Sequence, residues 1–309
     1  MKRTIFTLLI LSIIGTMSCR KSGANNMDIK QYDQQQITGY IASNGLTGMI
    51  RDTSGGDTTG TYYKILTPGS PTKPVDYPDS VSFVFTIRSF DGQFIAADTA
   101  INHYAGYLGH ISPNGLMIAV RNILKYKGAS MRLLLPSHLA FGVSGTGSGS
   151  KTITNGRIAG NQCLDYYVNL INDQRVYDDI VIRNYLTANS LSGYIKQNNG
   201  VYYKITVPGT GTDPITNNST ITCTYTGILM NGSIFDQFNT TGGTSFSIAD
   251  LTQGVASALQ HAVNGTSISI LAPSALEYGA AGAGAGSTGI SIPANACLRF
   301  DFTISAVSP

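Results

Sequence analysis

TYYKILTPG at Thr61–Gly69 and VYYKITVPG at Val201–Gly209 are the same run written twice, 140 residues apart (Tyr62 to Tyr202). Tyrosines and aliphatics running into Pro-Gly describe a strand and its exit turn. The offset holds without a gap through the next apolar run and its turn, where Asp91-Gly92 matches Asn231-Gly232. Both dipeptides are strong hairpin signals. Beyond them Phe235-Asp236 of the second copy faces Ile95-Ala96 of the first. The chain therefore carries two copies of one β-rich unit, and the copies differ where polar chemistry would be expected.

Working outward, Ile221, Cys223 and Tyr225 alternate with Thr220, Thr222, Thr224 and Thr226. This is the period-2 pattern of a strand with one buried face. Val81, Phe83, Phe85 and Ile87 keep the same face apolar in the first copy. Leu251, Val255, Leu259 and Ala262 recur at helical spacing, with Gly265 placed as a C′ residue. Ser267–Ala272 reads as a strand, Pro273–Gly279 as a turn and Leu298–Ala306 as the last strand. The Gly/Ala loop Ala280–Gly289 is not a P-loop, because no Gly-Lys-Ser/Thr ends it. Each copy opens on a helix-like segment, Asp28–Gly45 and Asp178–Leu191, closing near Asn44 and Asn189. One short helix among several antiparallel strands predicts an α+β unit, a curved antiparallel sheet wrapped over a helix.

The 309 residues suffice for two cores, and the net charge is only +3, two of which come from Lys2 and Arg3. No basic stripe or block points to nucleic acid. Lys2-Arg3, the short apolar run Thr4–Ile14 and Gly15-Thr16-Met17-Ser18-Cys19 read as an export signal. The placement of Cys19 resembles the lipobox of bacterial lipoproteins, which implies cleavage before Cys19 and its acylation, for example with palmitate. Residues 1–18 are then a signal peptide and 19–27 a polar tether. Cys163, Cys223 and Cys297 are an odd set without CxxC, read as small buried hydrophobes. His103, His110, His138 and His261 show no metal-ligand spacing, and no cofactor or metal is expected.

The second copy resembles the FKBP-type peptidyl-prolyl cis-trans isomerases. The matching pieces are Tyr225-Thr226-Gly227, Gly232 to Phe235-Asp236, Gly254 to Leu259, Pro273-Ser274 with Leu276-Glu277-Tyr278-Gly279, and Ile292-Pro293 with Ala296 to Phe300. They stand in the family's order and spacing across Gly200–Val307. The first copy matches more loosely over Thr61–Ile171, chiefly through Pro136 to Gly142, offset by 137. The resemblance implies two tandem FKBP-like domains, residues 28–175 (degenerate) and 176–309 (isomerase).

The resemblance also implies the site. Tyr225, Phe235, Phe246 and Phe300 would wall a proline-ring pocket, with Leu251 and Ile292 as aliphatic lining. Val255 takes the place of the usual floor tryptophan, and this chain has no Trp. Thr252 would offer its backbone N–H to the substrate, and Tyr278 its hydroxyl to the substrate carbonyl. Asp236 would orient the site beside Tyr225. Asp236 and Tyr278 are the two polar side-chain functions expected at the centre, with Asp236, Tyr278, Tyr225 and Phe235 carrying catalysis. In the first copy these positions hold Ala96 for Asp236, Ile95 for Phe235, Phe141 for Tyr278, Tyr166 for Phe300 and Ile158-Ala159 for Ile292-Pro293. That copy is expected to fold without isomerising, leaving it to bind extended peptide or to space the second from a membrane.

The expected function is a lipid-anchored, periplasm-facing prolyl isomerase acting on proline-containing unfolded or exported polypeptides. Two other readings stay open: a chaperone holding peptide without turnover, and a structural lipoprotein of duplicated spacers.

Overall fold

A computed structural model describes residues 28–147 and 156–308. Cys19, the export signal and the tether lie outside the described residues. The first half opens on α1 (Ile29–Ser43) and continues through β1 (Ile50–Arg51), β2 (Tyr62–Pro68), β3 (Ser80–Ser89), β4 (Ile95–Ala96) and β5 (His103–Tyr107). Next come α2 (Asn114–Ala119), β6 (Ala129–Leu135), β7 (Thr146–Gly147), β8 (Arg157–Ile158) and β9 (Leu164–Leu170). The second half opens on α3 (Gln174–Ala188), then β10 (Ile195–Lys196), β11 (Tyr202–Val207), β12 (Thr220–Leu229), β13 (Ile234–Phe238) and β14 (Thr244–Ser247). It closes with α4 (Gln253–Leu259), β15 (Ser267–Ala272), β16 (Ala283–Ala285), β17 (Ser291–Ile292) and β18 (Leu298–Ser308).

Two antiparallel sheets share one strand order. The first runs β1-β2-β6-β9-β3-β4 with β5 beside β3; the second runs β10-β11-β15-β18-β12-β13 with β14 beside β12. The α+β class expected from the strand pattern is what the chain adopts.

Each sheet buries both faces, and the strand pleat explains how. On β15, Ile270 and Ala272 enter the core that holds Val255 and Leu259 of α4. Leu271 points the other way, against Ile182 and Tyr185 of α3. On β6, Leu133 and Leu135 join the core with Leu116 of α2, while Leu134 meets Ile37 of α1. Alternating side chains thus serve two helices on opposite sides.

The long helices are tied down by buried acids. Asp33 of α1 accepts from Ser137 Oγ at 2.7 Å, and Asp178 of α3 accepts from the Ser274 N–H and Oγ at 2.8 and 2.7 Å. Each turn so held, Pro136-Ser137 and Pro273-Ser274, follows directly on a central strand, β6 or β15. Cys163 and Cys297 lie buried beside these acids.

Two local expectations need correction. α4 is only seven residues long, with Leu251 before it and Ala262 after it. Gly265, at φ 85°, does not cap α4; its N–H donates to Ile304 O, and the chain has already turned at Val263–Thr266 toward β15. α3 begins at Gln174, four residues ahead of the Asp178 start read from sequence, because Asp173 caps it through the Arg175 and Val176 N–H groups.

Candidate functional site

The site begins with a bulge. Gly227 of β12 pairs with Asp236 of β13, and Ile228 pairs with Ile234, so Phe235 is an extra residue on its strand. A bulge re-aims the side chain it carries. The Phe235 ring is turned down across Gly227, and a Cβ on Gly227 would stand 2.5 Å from its Cζ. Only glycine leaves room for the ring there.

Phe235 and Phe300 meet edge to face at 5.7 Å and 89°. Phe300 continues to Phe302, and Phe302 to Tyr225, whose edge meets Phe246 at 5.5 Å. Phe235, Val255, Ile292 and Phe300 are buried, while Tyr225, Phe246 and Leu251 are half-buried against the same cluster. The expected apolar set therefore converges, as a closed floor (Phe235, Val255, Ile292, Phe300) under an open rim (Tyr225, Phe246, Leu251). Phe302 belongs to the aromatic chain and was not expected. The strand alternation that puts Phe300 inward puts Phe302 inward too, and that was the available signal.

Asp236 sits on the rim. Its Oδ2 accepts from Tyr225 Oη at 2.6 Å, and its Oδ1 from the Gln237 and Ser287 N–H groups at 3.0 and 3.2 Å. Partial burial works against its charge, but the hydrogen bonds from Ser287, Tyr225 and Gln237 outweigh it and hold the carboxyl below its ordinary range. The phenol of Tyr225 shifts the opposite way, upward, through burial and then through the Asp236 bond and charge. So Asp236 is an ionised acceptor that fixes a neutral tyrosine. The Gly/Ala loop supplies Ser287 and lies directly on β13: a Cβ on Gly286 would stand 2.4 Å from Phe235 O. Thr288 Oγ1 donates to Ile234 O and Phe235 O, at 2.7 and 2.9 Å.

Tyr278 is 39 % exposed, and its hydroxyl donates to no described residue. Its phenol is pushed up by burial of the group and by the nearby Glu277 and Asp236 charges. Thr252 is the N-cap of α4, so its N–H points out of the helix start beside Leu251.

Glu277 is the polar group that the sequence reading missed. Both carboxyl oxygens are buried and unpartnered, as is the Thr252 hydroxyl. The carboxyl presses on α4, where a Cβ on Gly254 would stand 2.2 Å from Oε1. Burial drives its pKa to about 8; Thr252 Oγ1 and the Val255 N–H lie near enough to ease the charge, but neither makes a well-aligned bond. The centre thus holds a neutral acid behind Tyr278, in addition to Asp236 and Tyr278. Nothing in the letters Leu-Glu-Tyr-Gly separates a buried Glu from a turn Glu.

The first half keeps the frame and loses the site. Ile87 pairs with Ala96 and Arg88 with Ile95, with no bulge between. Its turn is one residue longer instead: the Ser89 N–H reaches Phe94 O, where the Leu229 N–H reaches Ser233 O. The sequence reading set Ile95 opposite Phe235; in space Ile95 matches Ile234, and Phe235 has no counterpart. Two one-residue shifts cancel, so the offset of 140 conceals them. Ile87 fills the place of Gly227, and buried Tyr166 that of Phe300. Ala140 and Phe141 stand where Glu277 and Tyr278 do.

Residues 211–305 match the family described as FKBP-type peptidyl-prolyl cis-trans isomerase, and a domain of that type is present there. Over 111 residues the chain is 36 % identical to a probable FKBP-type peptidyl-prolyl cis-trans isomerase of Haemophilus influenzae, covering 36 % of this chain and 44 % of that protein. Over 97 residues it is 34 % identical to the outer membrane protein MIP of Legionella longbeachae, covering 31 % and 41 %. The chain thus spans less than half the length of either relative. Among solved structures, the peptidyl-prolyl cis-trans isomerase of Pseudomonas syringae pv. tomato is 28 % identical, with a TM-score of 0.36, over 45 % of this chain and 98 % of that one.

Proposed function

We propose that the second half catalyses cis-trans isomerisation of X-Pro bonds in exported polypeptides, and that the first is a related unit without that activity. The observation that carries this reading is the Tyr225–Asp236 bond, 2.6 Å long, at the rim of the Phe235 and Phe300 floor. A carboxylate ordered by three donors at the edge of an aromatic hollow serves orientation better than it serves packing.

The reaction needs no nucleophile. Amide resonance sets a barrier of about 18–20 kcal/mol, and twisting the bond removes that resonance. The twisted amide is less charge-separated than the planar one, so an apolar floor favours it. Each tenfold of rate needs about 1.4 kcal/mol of such preference. The proline ring would rest on Phe235, Val255, Ile292 and Phe300 between Tyr225 and Phe246. Tyr278, whose hydroxyl is uncommitted, would donate to the carbonyl before proline, and the Thr252 N–H to a neighbouring carbonyl. Asp236 keeps Tyr225 fixed while the imide turns.

Residues 28–172 and 173–309 are the two domains in this reading, because α3 packs on the second sheet. Cys19 after Gly15-Thr16-Met17-Ser18 supports a lipid anchor at a periplasm-facing membrane surface. Palmitate labelling of the expressed protein, lost in Cys19→Ser, tests the anchor.

The closed floor at Val255 favours one competing reading, peptide holding without turnover. Relaxation of a cis-Pro tetrapeptide, followed with and without the chain from residue 20 onward, separates the two. Catalysed relaxation supports the isomerase; retained peptide binding with the solvent rate supports the holder.

A further inference from the structure

The halves meet through the segment that carries Ile292. His103, at the start of β5, has Nε2 at 2.7 Å from Thr99 O and Nδ1 at 2.9 Å from Ala294 O. Both partners are backbone carbonyls, which only accept. A neutral imidazole carries one N–H, so one of these contacts would set a lone pair against an oxygen; an imidazolium satisfies both.

Ala294 belongs to a segment joined to the site on both sides. Ile292 is part of the floor. The Asn295 N–H donates to Gly279 O at 2.8 Å, next to Tyr278. Asn295 Nδ2 donates to Ser82 Oγ of β3 at 2.9 Å, a second tie to the first half. Asn231, in the turn before Phe235, donates to Asp98 Oδ2 at 2.7 Å. The first half therefore grips the second at the loops that frame the candidate pocket.

We infer that His103 is a positioning residue for that pocket: as an imidazolium it bridges Thr99 and Ala294 and fixes the 292–295 segment, and on losing its proton it lets that segment loosen. The inference deepens the isomerase reading and rests on it for its consequence, though not for the latch itself. The titratable groups around the ring are Asp98 on its own loop and Asp178, Tyr177, Tyr185 and Cys297, which line with it a cavity of about 310 Å³ between the halves. Asp98 is held by the Ala100 N–H and Asn231, and Asp178 by Ser274 and Gln174. Neither carboxylate bonds to the ring, so the two carbonyls are its partners.

The test uses the whole chain from residue 20 onward. Amide exchange at Asn295 and ring-proton shifts of His103 are followed by NMR from pH 5 to 8.5, in wild type, His103→Gln and His103→Ala. After correction for intrinsic exchange, wild-type protection at Asn295 should fall roughly 3- to 10-fold with rising pH, the weight of one hydrogen bond. Its midpoint should coincide with that of the His103 ring. Both variants should show a flat profile at the unlatched level. Parallel profiles in wild type and variants, or a His103 ring neutral at pH 5, overturn the latch. Cis-Pro turnover in the same samples should follow the latch. A working latch without turnover refutes the isomerase reading instead and leaves the latch standing.

Discussion

The two halves place one strand order around two different interiors. At Gly227 the second half leaves a gap, and a bulge turns Phe235 into it; at Ile87 the first half fills the gap and needs no bulge. At Asp236, Glu277 and Tyr278 the second half spends buried and rim polarity, while Ala96, Ala140 and Phe141 avoid it. Polar groups cost stability when buried, so their loss in one copy is the simpler packing solution and their retention in the other calls for a use. A pocket in this fold is made by one glycine and one inserted residue, and a core by reversing both.

Exchanging residues between the halves is the sharpest way to break this comparison. Ile87→Gly should have the largest effect, a destabilisation of about 3–5 kcal/mol in chemical denaturation, since it removes a buried side chain and adds backbone freedom. A near-neutral result would mean the first core tolerates a hollow and that Ile87 is not what closes it. Gly227→Ile, the reciprocal change, should cost about 1–3 kcal/mol by overpacking against Phe235. It should also lower cis-Pro turnover by roughly tenfold or more, for a displaced ring costs at least one 1.4 kcal/mol step of preference. Full turnover in this variant would show that Phe235 is packing only.

Asp236→Ala should reduce turnover about tenfold, the weight of a charge-assisted hydrogen bond, with little change in melting temperature. Ala96→Asp alone should create no turnover in the first half, because Phe235, Glu277 and Tyr278 have no equivalents there. The effect expected at Glu277 is on stability and depends on pH. Its pKa of about 8 in the fold lies above the ordinary 4.5, so the folded state binds the extra proton. Its contribution is fully present below pH 4.5 and is lost as pH rises toward 8. Glu277→Gln should remove that decline, raising the melting temperature by on the order of ten degrees at pH 8 relative to wild type and flattening its pH profile. Identical profiles would mean the carboxyl is solvated in solution.

Much of the fold was legible in the letters because strand alternation and paired turns are local signals. Ile221, Cys223 and Tyr225 declared their face, and Asn44 and Asn189 do close the long helices, although α3 starts earlier than expected. The length of α4 was not legible: Leu251 and Ala262 are apolar at helical spacing but enter the core from turns. The bulge at Phe235 was hidden by compensating shifts that leave the residue count unchanged. Glu277 owes its shift to burial that the fold supplies, and His103 owes its bridge to Ala294, 191 residues away. Local pattern carries no information about such pairs.

The most direct test of the central claim assays the halves apart. Residues 173–309, which keep α3 with its sheet, and residues 20–172 are each added to a cis-Pro tetrapeptide, and the approach to equilibrium is timed. The account predicts acceleration by the second fragment, lower than that of the whole chain only by what the missing His103 latch removes, and the solvent rate with the first. Acceleration by residues 20–172, or none by a folded 173–309 fragment, would contradict it.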